Sequence, residues 1–445
     1  MTGPASALHM VNGFDPTSSV ELSPSSRDLI ERRARVLGPA YRLFYERPVE
    51  FVRGEGVHLF DAEGADYLDV YNNVPVVGHS NPRVRAAVSE QLDVLNTHTR
   101  YLTSPIVDYA ERLVSHFPSA LSQVIFACTG SEAVDLSLRI ARHETGASGV
   151  VITENAYHGT TQAAAEISPS LGPNNKIPRT VITVPAPDPL REGEGAADRF
   201  LAQVTEAIAE LKNRGVGFAG LIVDSVLSSD GLQLEPAGFL APVVDVVHRE
   251  GGLYIADEVQ PGFGRTGAHW WGFQRHGVVP DLVVLGKPMG NGIPISAVVA
   301  RPEVLTRFGA DVRYFNTFAG SPVSIAAATA VLDEIEERDV MSSATRVGTH
   351  LSRSLLQLAT DHSGIAAVRG AGLFLAVEFV TDPSTLTPDA RRALDVVNQL
   401  RERRILISAS GPGGNVLKIR PPLVFERKDA DRFLTEFAAV LESTS

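Results

Sequence analysis

Cysteine is nearly missing from this chain. Cys128 is the only one in 445 residues, so neither an intrachain disulfide framework nor a cysteine-based zinc site can be built. A reducing compartment fits that shortage. Positive charge is short as well, with 40 Lys and Arg against 52 Asp and Glu and a net charge of -12. Recognition of nucleic-acid phosphates needs clustered cations, so no nucleic-acid partner is expected. No apolar run is long enough to span a bilayer, and no membrane partner is expected. Residues 1–26 lack a basic start followed by an apolar core, so they do not read as a secretory signal. Their Ser, Pro and Thr content suggests a loosely ordered arm. A cytoplasmic protein is the resulting expectation.

What is present is ordinary globular composition, 44% hydrophobic and 21% charged, in a chain long enough for two or three domains. Short β-branched runs recur at 124–126, 149–153, 181–184, 221–224, 253–257, 282–285 and 297–300. Most are continuous rather than alternating, as strands covered on both faces must be. Amphipathic segments at 131–143, 199–214 and 238–250 fall between them. Strands alternating with helices predict an α/β fold with a mainly parallel sheet. After Pro322 the texture changes. A helix is expected over 324–337, strands over 373–380 and 416–420, and a closing helix over 428–441, which together read as a smaller α+β domain.

Lys287, in LVVLGKPMGNG, follows an apolar run into a Gly/Pro-rich turn, at the strand end where open α/β sheets bind ligands. Its ordinary alternative is a solvated lysine. Asp257, in LYIADEVQPGFGRTG, ends another buried run, where a carboxylate needs a cationic partner. The pair carries more than either alone: an amine and an acid at neighbouring strand ends suit a Schiff base and a protonated pyridine nitrogen, as in a pyridoxal phosphate site. In 126–133 a strand, a Gly130-Ser131 turn and a helix start make an anion seat, unless Ser131 is only a helix cap. Tyr157 and His158 follow the second strand, where an aromatic ring would stack on the pyridine or be a plain loop aromatic. The polar loop 316–322 holds Thr317, a hydroxyl suited to phosphate or to a plain turn.

Other patterns are set aside. GVGFAG at 215–220 matches GxGxxG but precedes its strand and opens no helix. His98, His158 and His276 lack metal-ligand spacing, and no metal is expected. Cys128 has no adjacent base to make it a nucleophile.

The segments TGSEA, AYHG, ADEVQPGFGRTG and GKPMGNG, in this order, resemble the class III aminotransferases, pyridoxal-phosphate enzymes of fold type I. The likeness runs from about Gly38 to the final helix. It implies a large domain with a mainly parallel seven-stranded sheet over 76–330 and a small α+β domain over 331–445. Residues 1–75 would be an arm and a segment joining the small domain, by fold analogy. It implies Lys287 as the Schiff-base lysine and Asp257 as the pyridine-nitrogen partner. Val259 would pack under the ring, Tyr157 on its other face, and Gln260 near the ring hydroxyl. His158 would join the cofactor site, and Gly130 and Ser131 would hold the phosphate with Thr317 of a neighbouring subunit. A homodimer with shared active sites follows.

Residues 52–82, 94–102, 285–294, 315–324 and 404–425 are similar to the ethanolamine-phosphate phospho-lyase branch. That branch eliminates phosphate from O-phosphoethanolamine to give acetaldehyde, ammonia and phosphate, so the substrate expected is a phosphorylated small-molecule amine. The alternative is a class III aminotransferase acting on an ω- or α-amino acid with a keto acid; a catalytically silent member is the remote third. Arg420 matches a carboxylate-binding position of many aminotransferases and would face the substrate phosphate or contact no substrate. Asn72, Asn73 and Arg100 are further substrate-pocket candidates, or loop hydrogen-bonding residues. Two positions depart from the family pattern: Asp224 stands where many members have Glu, and TFAGSP replaces a Gly-Gly form.

Overall fold

The computed structural model describes residues 10–443. The beginning of the expected arm, residues 1–9, therefore lies outside the described residues. The next few residues are irregular but pinned: Asn12 O accepts from Tyr45 N at 2.8 Å, and Asn12 Oδ1 from Ser408 Oγ at 3.0 Å.

Strands β1 (Phe51–Glu55), β2 (His58–Asp61) and β3 (Asp66–Asp69) form a small antiparallel unit. Seven strands then make the large sheet: β4 (Gln123–Ala127), β5 (Val150–Thr153), β6 (Val181–Val184), β7 (Gly220–Asp224), β8 (Leu253–Asp257), β9 (Leu282–Leu285) and β10 (Ser296–Ala300). Their order is β4-β10-β9-β8-β7-β5-β6, and only β10 runs against the rest. The apolar runs of the sequence fall on these strands to within a residue or so. Their continuity has a physical cause. In β8, Tyr254 and Ala256 enter one core while Ile255 enters another; in β9, Val283 and Leu285 are split in the same way from Leu282 and Val284. Both faces are covered, so a polar residue has no wet side to occupy. Each such Val, Ile or Leu contributes roughly 1.5–3 kcal/mol by burial, which fixes the register. The helix Gly130–Thr145 packs on β9 and β10, and Leu240–Arg249 on β8.

The C-terminal part carries β11 (Ile365–Ala371), β12 (Phe374–Asp382), β13 (Thr387–Pro388), β14 (Ile405–Leu406), β15 (Ser408–Ser410) and β16 (Val416–Ile419). β11, β12, β16 and β15 form an antiparallel sheet, and β13 pairs with β12. β14 instead joins β3 in parallel, so the early strands and the late chain share one sheet. The helices Val340–Asp361, Ala390–Glu402 and Arg427–Ser443 belong to this part. Among the described residues no helix is long and apolar enough to cross a membrane, and no group of three or more His, Cys, Asp or Glu could hold a metal ion.

Candidate active site

The C-terminal ends of the parallel strands converge on one cavity of about 190 Å³. Its walls include Gly130 and Ser131 after β4, Tyr157 and His158 after β5, and Asp257, Val259 and Gln260 after β8, with Lys287 after β9. Gly159 and Asp224 complete it. Most of the residues singled out in the sequence thus meet at one place.

Asp257 is buried at the last position of β8. Its Oδ2 lies 2.6 Å from Nδ1 of buried His158, and its Oδ1 accepts from Val259 N at 3.0 Å. These partners fix the carboxylate's direction and satisfy it without a salt-bridging Lys or Arg. Lys287 is half-buried on the cavity wall. Burial, and then the Arg420 charge, bring its amine down to about 8. A lysine so lowered is uncharged often enough near neutrality to act as a base. Asp224, paired beside Asp257 in the sheet, has its carboxyl pushed up, by burial first and then by Asp257.

The anion turn differs in one detail from its simplest sequence reading. Thr129, not Ser131, caps the helix: its side chain accepts from Glu132 N, and Glu132 reaches back to the N–H of Thr129 and of Cys128. Gly130 and Ser131 N–H take no part in that capping box and stand at the positive end of a 16-residue helix. Ser131 Oγ accepts from Thr160 N at 3.0 Å. Gly159 passes close by with φ of +140°, and a Cβ there would lie 2.5 Å from Ser131 Oγ. Only glycine fits. Val259 forms a floor against Gly130 and Gly286. An amine, a carboxylate and an anion turn around one cavity fit pyridoxal phosphate, and buried His158 keeps Nε2 without a partner.

The substrate candidates divide. Arg420, buried, donates through Nη1 to Gln260 Oε1 and through Nε to Tyr71 O at 3.0 Å, with its guanidinium 4.4 Å from the Tyr71 ring centroid. Gln260 Nε2 in turn donates to Ser228 Oγ at 2.7 Å. Arg420 thus stands behind the wall residue Gln260, and Asn72, Asn73, Arg100 and Thr317 are not in the cavity wall either. Asn72 is held by Asp69, Asn73 is buried with Nδ2 unpaired, and Arg100 stacks 3.7 Å over Phe315. Thr317 is exposed on its loop. Sequence reasoning passed over two buried cations near Arg420. Arg265 donates to Leu373 O and Pro421 O, and Lys418 lies on β16. Burial and Arg420 lower Arg265 to about 9 and Lys418 to about 7. The missed signal was spacing: Lys418 lies in β16 only two residues before Arg420, which follows the strand directly.

Comparison with known proteins gives one answer for the family and two for the reaction. The family model "Aminotransferase class-III" matches residues 44–441. An alanine–glyoxylate aminotransferase 2-like protein of Drosophila melanogaster is 41% identical, covering 94% of this chain and 87% of the relative. An ethanolamine-phosphate phospho-lyase homolog of Caenorhabditis elegans is 34% identical over 94% of both chains. Among solved structures, a phospholyase from Arthrobacter in complex with phosphoethanolamine superposes with a TM-score of 0.91 at 44% identity, covering 94% of this chain and all of that one.

Proposed function

The chain belongs to the class III aminotransferase family, whose cofactor is pyridoxal 5'-phosphate, and from that premise we propose that it is a phospho-lyase acting on O-phosphoethanolamine or a close amino-alcohol phosphate. The products would be acetaldehyde, ammonia and phosphate. The observation that carries this reading is the near full-length likeness to the Arthrobacter phospholyase solved with phosphoethanolamine.

Bound pyridoxal 5'-phosphate supplies an electron sink for the pair released when the substrate's carbon–hydrogen bond beside nitrogen is broken. Lys287 Nζ would hold the cofactor until the substrate's amine displaces it, and the freed amine would then take that proton; its lowered basicity suits both roles. Asp257, aimed by His158 and Val259 N, would be the ring nitrogen's acidic partner. Gly130 and Ser131 N–H receive the cofactor phosphate, with Thr317 of a second copy. Val259 and Tyr157 take the two ring faces, His158 backs Asp257, and Gln260 approaches the ring hydroxyl. Arg420, anchored through Gln260 and Tyr71, faces the substrate phosphoryl group, with Asn72, Asn73 and Arg100 around the pocket mouth. A homodimer with shared sites belongs to the same proposal. Tyr101, Leu102 and Phe318 are 64%, 98% and 73% exposed near the Thr317 loop, an apolar patch that a second copy would cover. A cytoplasmic location is likewise proposed, although two aminotransferase relatives are named mitochondrial.

The 41% identical aminotransferase 2-like relative favours a second reading, amine transfer to a keto acid. Incubating cofactor-loaded protein with phosphoethanolamine and no keto acid separates the two. Release of phosphate and acetaldehyde is expected. Release of neither, with amine transfer once a keto acid is added, overturns the lyase reading.

A further inference from the structure

Lys418 is 7% exposed, and its side chain forms no hydrogen bond and no ion pair among the described residues. An ammonium drawn out of water without a directly bonded counter-ion is unfavourable, because it loses hydration and gains no partner in exchange. Asp224 and Asp230 offset this only in part, because both carboxylates are engaged elsewhere. Asp224 is already engaged by Val226 N at 3.0 Å and Ser228 N at 3.1 Å. Asp230 is engaged by Thr153 Oγ1 at 2.8 Å and Asn155 N at 3.1 Å.

The strand geometry gives the lysine a direction. In β16 the side chain of Lys418 leaves the same face of the sheet as Val416, and Arg420 follows one residue beyond the strand's end. Lys418 stands between Ala376 of β12 and Ser408 of β15, both short, so its stem is not crowded by its cross-strand neighbours. Val416 and Ala376 on that face pack against Val226 of the loop that follows Asp224. Lys418 therefore faces the large domain beside the cavity, within electrostatic reach of Arg420, Lys287 and Asp224.

We propose that Lys418 is a second cationic contact for the substrate's phosphoryl group, acting with Arg420 to select a dianion over a carboxylate. The inference rests on the phospho-lyase reading and names a specificity residue for it. A carboxylate carries one charge and is matched by one guanidinium; a phosphoryl group carries close to two and has three terminal oxygens to be satisfied. Lys418 supplies the missing charge, and the phosphoryl group supplies the counter-ion that the unliganded lysine lacks.

The test uses cofactor-loaded protein, so that the cofactor's own phosphate seat is filled. Inorganic phosphate is titrated by calorimetry, and phosphoethanolamine turnover is measured in parallel. Lys418→Met is expected to weaken phosphate binding and raise KM for phosphoethanolamine by roughly 10- to 100-fold, the range for a lost charged hydrogen bond, with kcat changed far less. Lys418→Arg, which keeps charge and folding, is expected to recover most of both. Phosphate affinity within twofold of wild type in Lys418→Met overturns the assignment, as does equal weakening in the Arg variant with normal thermal stability. Lys418-dependent phosphate binding by a wild type that eliminates nothing leaves the assignment standing and defeats the lyase reading instead.

Discussion

Two strands from different sheets bring opposite charge to one neighbourhood, β8 into the cavity wall and β16 to the chain just behind Gln260. β8, in the large sheet, delivers Asp257, which is satisfied by His158 and by a backbone N–H. β16, in the C-terminal sheet, leads to Lys418 and Arg420, of which Lys418 is unsatisfied. The acid end is complete without substrate; the cation end is not. The difference teaches where chemistry and where choice reside. A satisfied carboxylate is a fixed part of the machine, while an unsatisfied cation waits for whatever anion the substrate brings.

The contrast can be broken first at Lys287, which serves both ends. Lys287→Ala should reduce turnover by more than about a thousandfold and abolish the borohydride-trapped cofactor adduct. Mass spectrometry of the reduced protein checks this, and an adduct persisting on another lysine would refute the assignment. At the acid end, Asp257→Asn should lower kcat by roughly 100- to 1,000-fold while part of the cofactor is retained. Near-normal kcat would remove Asp257 from the mechanism.

The cation end should respond to pH near neutrality. Lys418, lowered to about 7 by burial and Arg420 and opposed by Asp224 and Asp230, with Lys287 also lowering it, carries full charge only below that value. Sulfate, a dianion throughout, should therefore bind tightest near pH 6 and weaken by roughly tenfold per unit at most as pH rises through 7. In Lys418→Arg the profile should flatten, and an unchanged profile would contradict a role for Lys418. The smallest effect is expected at the floor between the two ends. Val259→Ala should lower stability by about 1 kcal/mol, read as a shifted denaturant midpoint, and loosen the cofactor slightly.

The acid end was legible in the sequence because it lies on strands buried on both faces. Their unbroken Val, Ile and Leu runs stop at a charge, and the stop itself marks the cavity edge. The cation end was harder to read. Lys418 stands between Leu417 and Ile419, and a lysine flanked by apolar residues looks like the wet side of a half-buried strand. It is not, because the loop after Asp224 covers that side, and such a tertiary contact leaves no local trace. The strands β1 and β2 escaped notice for a related reason: they are short and only partly buried, so their alternation is weak. β14 is two residues long and has no pattern to find. Gly159 was quoted within its motif, but nothing local revealed that Ser131, distant in sequence, occupies the space its Cβ would need.

That glycine has a consequence for any survey of tolerated substitutions. In a deep mutational scan Gly159 should be as intolerant as Lys287, although it has no side chain to move a proton or carry a charge. A scan scored on activity alone would rank it as catalytic. Scored on folded yield as well, it should separate from Lys287, whose alanine variant should still fold, and show that the missing methyl group is what leaves Ser131 its place.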